Sequence, residues 1–248
     1  MTEKNILFGL HTVLALLQKN PTRIRVLWVV KERDDEKIQE ILTLAKQNKL
    51  SIKYATKPIL DQLSHHGNHQ GVAVECQPLK AGSEEDLKLI LEKLSQPAIF
   101  LILDGVQDPH NVGACLRSAD AFGANAIIAP KDKAVGLNAT VAKVASGAAE
   151  TLPFIQVTNL VRTLDYLKKE NVWIYGADGE AKTPLFQANL KTHVGLVLGA
   201  EGNGLRRLTR EHCDELLYIP MSGSVSSLNV SVAAGIFLFE TIRQRTLS

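Results

Sequence analysis

The sequence predicts an α/β protein whose larger, C-terminal part is built on a mostly parallel sheet. Two observations predict it. Strand-like and helix-like segments alternate along the chain, the order that gives parallel strands covered by helices on both faces. The chain has 248 residues, 45% of them hydrophobic, enough for one large or two modest domains with proper cores. No internal repeat or low-complexity segment interrupts the pattern.

The elements follow in order. Leu10, Val13, Leu14 and Leu17 recur at helical spacing over residues 10–18. Residues 23–30 (Arg23-Ile24-Arg25-Val26-Leu27-Trp28-Val29-Val30) are β-branched and begin with alternation, which predicts a strand. Ile38, Ile41, Leu42 and Ala45 mark one stripe of an amphipathic helix over residues 34–49. A short strand at 51–54, a short helix at 58–63 and a strand at 72–76 complete a small α/β domain spanning residues 1–76. Residues 77–97 read as a linker with a short helix. Pro78 and Gly82 punctuate it, Ser83-Glu84-Glu85-Asp86 has capping-box spacing with Asp in the last place, and Pro97 ends the helix. Residues 98–248 form the second domain. Strands are expected at 98–103, 126–129, 172–176, 194–198 and 216–219, and helices at 113–122, 140–148, 160–170, 206–211 and 228–243. In such sheets the ligand lies beyond the carboxyl ends of the strands.

Composition excludes several classes. A formal net charge of +2 is too small for a strongly cationic nucleic-acid coat, although it allows a local basic face. Cys76, Cys115 and Cys213 are widely spaced without a C-x-x-C, against a disulfide framework or structural zinc and in keeping with a reducing compartment. His65, His66 and His69 cluster, but no thiolate or carboxylate joins them at ligand spacing, so no metal is expected. Residues 1–5 lack the pattern of a secretion signal, and no run approaches roughly 18 uninterrupted apolar residues. A soluble, cytoplasmic protein with no membrane partner is expected.

Three strand ends of the second domain run into unusual loops. The first is Asp104-Gly105-Val106-Gln107-Asp108-Pro109-His110-Asn111-Val112-Gly113, followed by a helix holding Arg117. The second is Gly199-Ala200-Glu201-Gly202-Asn203-Gly204, and the third runs from Ile219-Pro220 through Ser226-Ser227-Leu228-Asn229 into a helix apolar on nearly every face. All three should converge on one sheet edge, bringing Asn111, Arg117, Glu201, Ser227 and Asn229 within reach of one another. Read alone, the third loop is as well a helix cap as a wall of a ligand site. The glycine loop is G-x-x-G-x-G after a late strand, not a dinucleotide fingerprint, and no G-x-x-x-x-G-K-[ST] occurs, so a nicotinamide or nucleoside-triphosphate enzyme is disfavoured.

The segments Asp108-Pro109-His110-Asn111-Val112-Gly113-Ala114-Cys115-Leu116-Arg117, Leu198-Gly199-Ala200-Glu201-Gly202 and Ile219-Pro220-Met221-Ser222-Gly223-Ser224-Val225-Ser226-Ser227-Leu228-Asn229 resemble, in order, the three motifs of the SpoU branch of the SPOUT RNA ribose methyltransferases. Phe8-Gly9-Leu10-His11, His69-Gln70-Gly71 and Arg207-Leu208-Thr209-Arg210-Glu211 extend the resemblance over essentially the whole chain, toward members that methylate a guanosine ribose in 23S rRNA. The resemblance implies an N-terminal RNA-binding domain similar to ribosomal protein L30e. It also implies a C-terminal α/β knot, a deep trefoil that contravenes the usual absence of knots. A homodimer with the pocket near the subunit interface is implied as well. The implied cofactor is S-adenosylmethionine, held by Gly199, Ile219 and Leu228. The implied partner is 23S rRNA or a precursor large-subunit particle, methylated in the loop facing the peptidyl-transferase centre.

Asn111, Arg117, Glu201, Ser227 and Asn229 match the family's polar catalytic positions. The family gives the arginine the part of general base. A guanidinium with a pKa of roughly 12 or above instead suits stabilisation of charge on the 2′ oxygen while solvent or phosphate takes the proton. His110 is the rival base on pKa grounds. Candidate phosphate contacts are Arg23, Arg25, Lys53, Lys131, Lys133, Lys143, Arg206, Arg207 and Arg210. A tRNA ribose methyltransferase and a non-catalytic RNA-binding assembly factor are the alternatives.

Overall fold

The structure is a computed structural model that describes residues 5–31 and 33–246; residues 1–4, part of the N-terminal reading, lie outside it. The chain divides into two compact units, Met1–Lys80 with Leu137–Thr151, and Ala81–Gly136 with Leu152–Ser248.

The first unit begins with β1 (Asn5–Phe8), α1 (Leu10–Lys19), β2 (Ile24–Val30), α2 (Glu36–Gln47), β3 (Ser51–Ala55), α3 (Lys57–Leu63) and β4 (Val72–Cys76). The sheet order is β1-β4-β2-β3, with β4 antiparallel to both neighbours and β2 parallel to β3. Val13, Leu16 and Leu17 of α1 meet Ile38 and Ile41 of α2 over Leu27 and Val74, all buried. The histidine loop is folded onto its own unit. His69 is buried, accepts the Gly71 N–H at its Nδ1 (3.0 Å) and donates from Nε2 to Asp61 (3.1 Å), while the Gln70 side chain accepts the Leu10 N–H that opens α1 (3.1 Å).

The second unit opens with α4 (Glu84–Glu92), started by a complete Ser83–Asp86 capping box, then β5 (Ile99–Asp104), α5 (Pro109–Ala121) and β6 (Ala126–Pro130). The next stretch departs from the expected domain division. The single helix expected at 140–148 is two, α6 (Ala139–Val144) and α7 (Ala148–Thr151), separated by Ser146 and Gly147 at positive φ. Both belong to the first unit, where Ala142 joins the core and the buried Glu150 pairs with Arg23 and accepts from Asn20. These partners lie more than a hundred residues away in sequence, so local periodicity carries no trace of them.

The chain then builds β7 (Phe154–Val157), α8 (Leu160–Lys169), β8 (Trp173–Ala177), β9 (Thr183–Pro184), β10 (Val194–Gly199), α9 (Arg207–Glu211), β11 (Glu215–Tyr218) and α10 (Val230–Thr246). The sheet runs β7-β6-β5-β10-β8-β11-β9, and every pairing is parallel. Among the described residues β7 and β9 add two strands to the five expected; at four and two residues they are too short to show a period. All six residues of β5 are buried, as a central parallel strand requires. Fully burying an aliphatic side chain there contributes roughly 1.5–3 kcal/mol. That rigid centre sets the strand ends from which the site is made.

Candidate active site

Asn111 is placed by a helix start. Asp108 caps α5, its carboxylate accepting the His110 N–H (2.9 Å), and Pro109 takes the first helical position, where its missing N–H costs nothing. The helix therefore begins four residues before the 113 expected, and Asn111 sits buried in its first turn rather than in a loop. Asn229 is placed by another start. Its carbonyl accepts the Ala233 N–H (3.0 Å) and its Oδ1 accepts from the Ser231 N–H (2.9 Å) and hydroxyl (2.6 Å), making it the cap of α10. Asn229 is thus a helix cap, and it also faces the cleft described below.

The loop after β10 carries Glu201 between them. Asn111 Nδ2 donates to Glu201 Oε1 (3.0 Å), and Asn229 Nδ2 donates both to that oxygen (2.5 Å) and to Asn111 Oδ1 (2.9 Å). Three segments, with Asn111 lying 90 residues before Glu201 and 118 before Asn229, thereby close one ring of side chains on a single carboxylate oxygen. Hydrogen bonds to an ionised acceptor are about twice as strong as neutral ones, so the ring holds the three segments in fixed register.

Beside the ring lies a cleft of about 830 Å³ at the carboxyl ends of β8, β10 and β11, within the size range of small-molecule sites. Gly199, Glu201, Ile219, Ser227, Leu228 and Asn229 all line it. Gly199 is there by necessity: a Cβ on it would stand 2.0 Å from the Gly204 carbonyl carbon and 2.4 Å from the Leu205 nitrogen. Arg117 is not brought to this group. It is exposed, lies outside the cleft lining and, among the described residues, has no hydrogen bond or ion pair. Six residues beyond Asn111 on α5, it projects roughly 240° further round the helix at about 100° per residue. His110 is likewise exposed and outside the lining.

With this geometry, comparison with known proteins is decisive. Residues 98–239 match the SpoU rRNA Methylase family, and residues 6–81 match the family described as RNA 2′-O ribose methyltransferase substrate binding. The chain belongs to the SpoU rRNA methylase family. It is 52% identical over 245 residues, 99% of each chain, to the 23S rRNA (guanosine-2′-O-)-methyltransferase RlmB of Shewanella oneidensis. To the protein of that name from Escherichia coli K12 it is 50% identical over 241 residues, 97% of this chain and 99% of that one. The SpoU methyltransferase AviRb of Streptomyces viridochromogenes, solved in complex with AdoMet, shares the fold with a TM-score of 0.81 and 22% identity, over 98% of this chain and 91% of that one.

Sequence reasoning missed one wall of this SpoU methylase's cleft. Asp178, Gly179 and Glu180, after β8, line it. Because β8 lies between β10 and β11, its end has to open between their loops; the missing signal was strand order, not residue type. Several expected phosphate contacts of the SpoU methylase are engaged internally: Arg206 with Asp104, Arg207 with Glu211 (2.7 Å), Arg210 with Asp178 (3.0 Å) and Arg23 with Glu150. Lys53 lies over the Trp28 ring (5.1 Å) and Lys143 over Phe8 (5.0 Å). Arg25, Lys131 and Lys133 are exposed. Burial pushes the thiol of Cys76 up to about 11 and those of Cys115 and Cys213 up to about 12, so none is a thiolate nucleophile near neutrality.

Proposed function

We propose that this SpoU methylase transfers a methyl group from S-adenosylmethionine to the ribose 2′-hydroxyl of a guanosine in 23S rRNA, in the loop facing the peptidyl-transferase centre. The observation that carries the reading is the Asn111–Glu201–Asn229 ring at the edge of a cleft whose other wall holds Gly199, Ile219 and Leu228. Identity near 50% with the RlmB proteins, running through both units, supports the substrate.

The cleft's residues fit the cofactor. Ile219 and Leu228 offer an apolar wall, and Gly199 lines it with backbone alone, its missing side chain making room for the backbone of 204–205. Among the charged lining residues Asp178, Glu180 and Glu201 outnumber Arg210, a balance that favours a cationic ligand. When bound, S-adenosylmethionine supplies a methyl already activated by its sulfonium. The chain has then to hold the ribose in line, exclude water and stabilise the oxygen that loses its proton. Positioning of this kind contributes on the order of 7–11 kcal/mol in favourable cases.

Asn111, Asn229 and Ser227 orient the ribose, with Glu201 fixing both amides. Arg117 stabilises developing charge on the 2′ oxygen, and solvent or phosphate accepts the proton, because a guanidinium stays protonated. Arg117 lies outside its own cleft, so the homodimer lets the partner subunit's Arg117 serve that cleft. On α10, Val232 (50% exposed) and Phe239 (56% exposed, edge-on to Phe122) give a second copy an apolar face to cover. The reading includes an L30e-like RNA-binding first unit, a trefoil-knotted second unit and a cytoplasmic setting among ribosomal precursors.

The test is to incubate the protein with labelled S-adenosylmethionine and, separately, 23S rRNA and tRNA. Label in 23S rRNA alone is expected. Label only in tRNA overturns the substrate, and label in neither favours a binding factor.

A further inference from the structure

Among the arginines expected at RNA phosphates, Arg206 docks on a buried carboxylate of the sheet. Asp104, the last residue of β5, has a side chain with 0% exposure and lies in register with Gly199, the last residue of β10. From Gly199 the chain leaves the sheet, makes the loop 200–205 and returns at Arg206. There the Arg206 backbone N–H donates to Asp104 Oδ2 (2.9 Å), its Nε donates to Oδ1 (2.5 Å), and its terminal nitrogen pairs with that same Oδ1. One buried carboxylate therefore faces the exit of the loop and binds its re-entry with both backbone and side chain. Within the loop the Gly204 N–H donates to the Ala200 carbonyl (2.9 Å), and Gly202 and Gly204 stand at positive φ. Without the clamp, that bond and the Asn111 and Asn229 bonds to Glu201 would be left to hold a loop with two glycines.

We propose that Asp104 and Arg206 are a positioning pair that fixes the loop 200–205, and through it the Gly199 wall and the Glu201 ring, for ligand binding, and that Arg206 is not an RNA contact. Neither residue lines the cleft, so the pair acts through the loop. A guanidinium suits the task because its planar fork can dock on a carboxylate while its own backbone N–H does the same, a match that a lysine ammonium cannot copy. The inference uses the S-adenosylmethionine reading only to choose the ligand.

The test uses the full chain and the variants Asp104→Asn, Arg206→Gln, Arg206→Lys and the double variant. It follows amide hydrogen exchange in 200–205, S-adenosylmethionine affinity by calorimetry, and 23S rRNA affinity as a function of salt. Asp104→Asn and Arg206→Gln should each speed exchange in the loop and weaken the cofactor by about tenfold to a hundredfold, the scale of a misplacement of about 1 Å. The double variant should be no worse than either single one, since both remove one interaction. Arg206→Lys should fall between wild type and Arg206→Gln. The slope of log affinity for RNA against log salt should not change. Should Asp104→Asn fail to fold, Arg206→Gln, altering a side chain that is 45% exposed, decides alone. Wild-type loop exchange and cofactor affinity in Arg206→Gln would overturn the proposal. A fall of about 0.7–0.9 in the salt slope would make Arg206 a phosphate contact instead. If the wild type binds no S-adenosylmethionine, the cofactor reading fails, while loop exchange still tests the pair.

Discussion

Replacing Gly199 by alanine is the smallest change that tests how the cleft is held. The added Cβ would lie 2.0 Å from the carbonyl carbon of Gly204, 2.1 Å from its oxygen and 2.4 Å from the nitrogen of Leu205. All three are backbone atoms, so no rotamer relieves the clash, and reaching ordinary contact requires the loop to retreat by roughly 1.5–2 Å. Glu201 travels on that loop. Its bonds to Asn111 (3.0 Å) and Asn229 (2.5 Å) would stretch toward or beyond hydrogen-bond range. Hydrogen bonds to a charged group contribute about 1.5–3 kcal/mol each, and Glu201's solvent exposure lowers that, so the pair together stands at about 3 kcal/mol. The expected loss is roughly a hundredfold in kcat/KM for methyl transfer, at about 1.4 kcal/mol per tenfold, with weakened cofactor binding. Calorimetry and a methyl-transfer assay measure both. Gly223→Ala is the control, because a Cβ there meets nothing within 4 Å. Cofactor binding and turnover within twofold of wild type in Gly199→Ala would refute the reasoning.

Glu201→Gln keeps an acceptor for both asparagines but loses its charge, so methyl transfer should fall by about tenfold, whereas Glu201→Ala should cost several times more; equal losses in steady-state assays would mean that the charge is irrelevant. Arg243 holds the Glu240 carboxyl below its ordinary 4.5, with Gln244 acting in the same direction against burial. Its contribution is therefore full above about pH 4.5 and lost as pH falls through the depressed value; melting curves should show Glu240→Gln less stable by about 1 kcal/mol at pH 6–7, the difference closing as pH falls below the depressed value. With all three thiols raised by burial, a thiol reagent at pH 8 should label the folded protein slowly and all three cysteines at once after denaturation; fast labelling of native Cys115 would contradict its burial.

How much of this was legible depended on whether a feature is local. The Ser83 capping box, the α2 stripe and the apolar runs of β5 and β10 are local signals, and the structure has them within a few residues of where the sequence puts them. Asn111, Glu201 and Asn229 were legible as a group because each follows a parallel strand, and parallel strands send their ends to one edge. What stayed hidden was pairing at long range. Arg206 reads as a surface cation until Asp104 is seen beneath it, and residues 139–151 read as part of the second domain until Glu150 is seen against Arg23. Arg117 shows the opposite limit: the motif marks the residue, while the fold of one chain leaves it outside the cleft.

The most direct test of the central claim is the identity of the methylated nucleoside. 23S rRNA lacking the modification would be treated with the protein and S-adenosylmethionine, digested to nucleosides and analysed by mass spectrometry, with Arg117→Ala in parallel. The account predicts 2′-O-methylguanosine from the wild type, little or none from Arg117→Ala, and the same cofactor affinity in both. A methyl group on a base, or undiminished 2′-O-methylguanosine from Arg117→Ala, would contradict it.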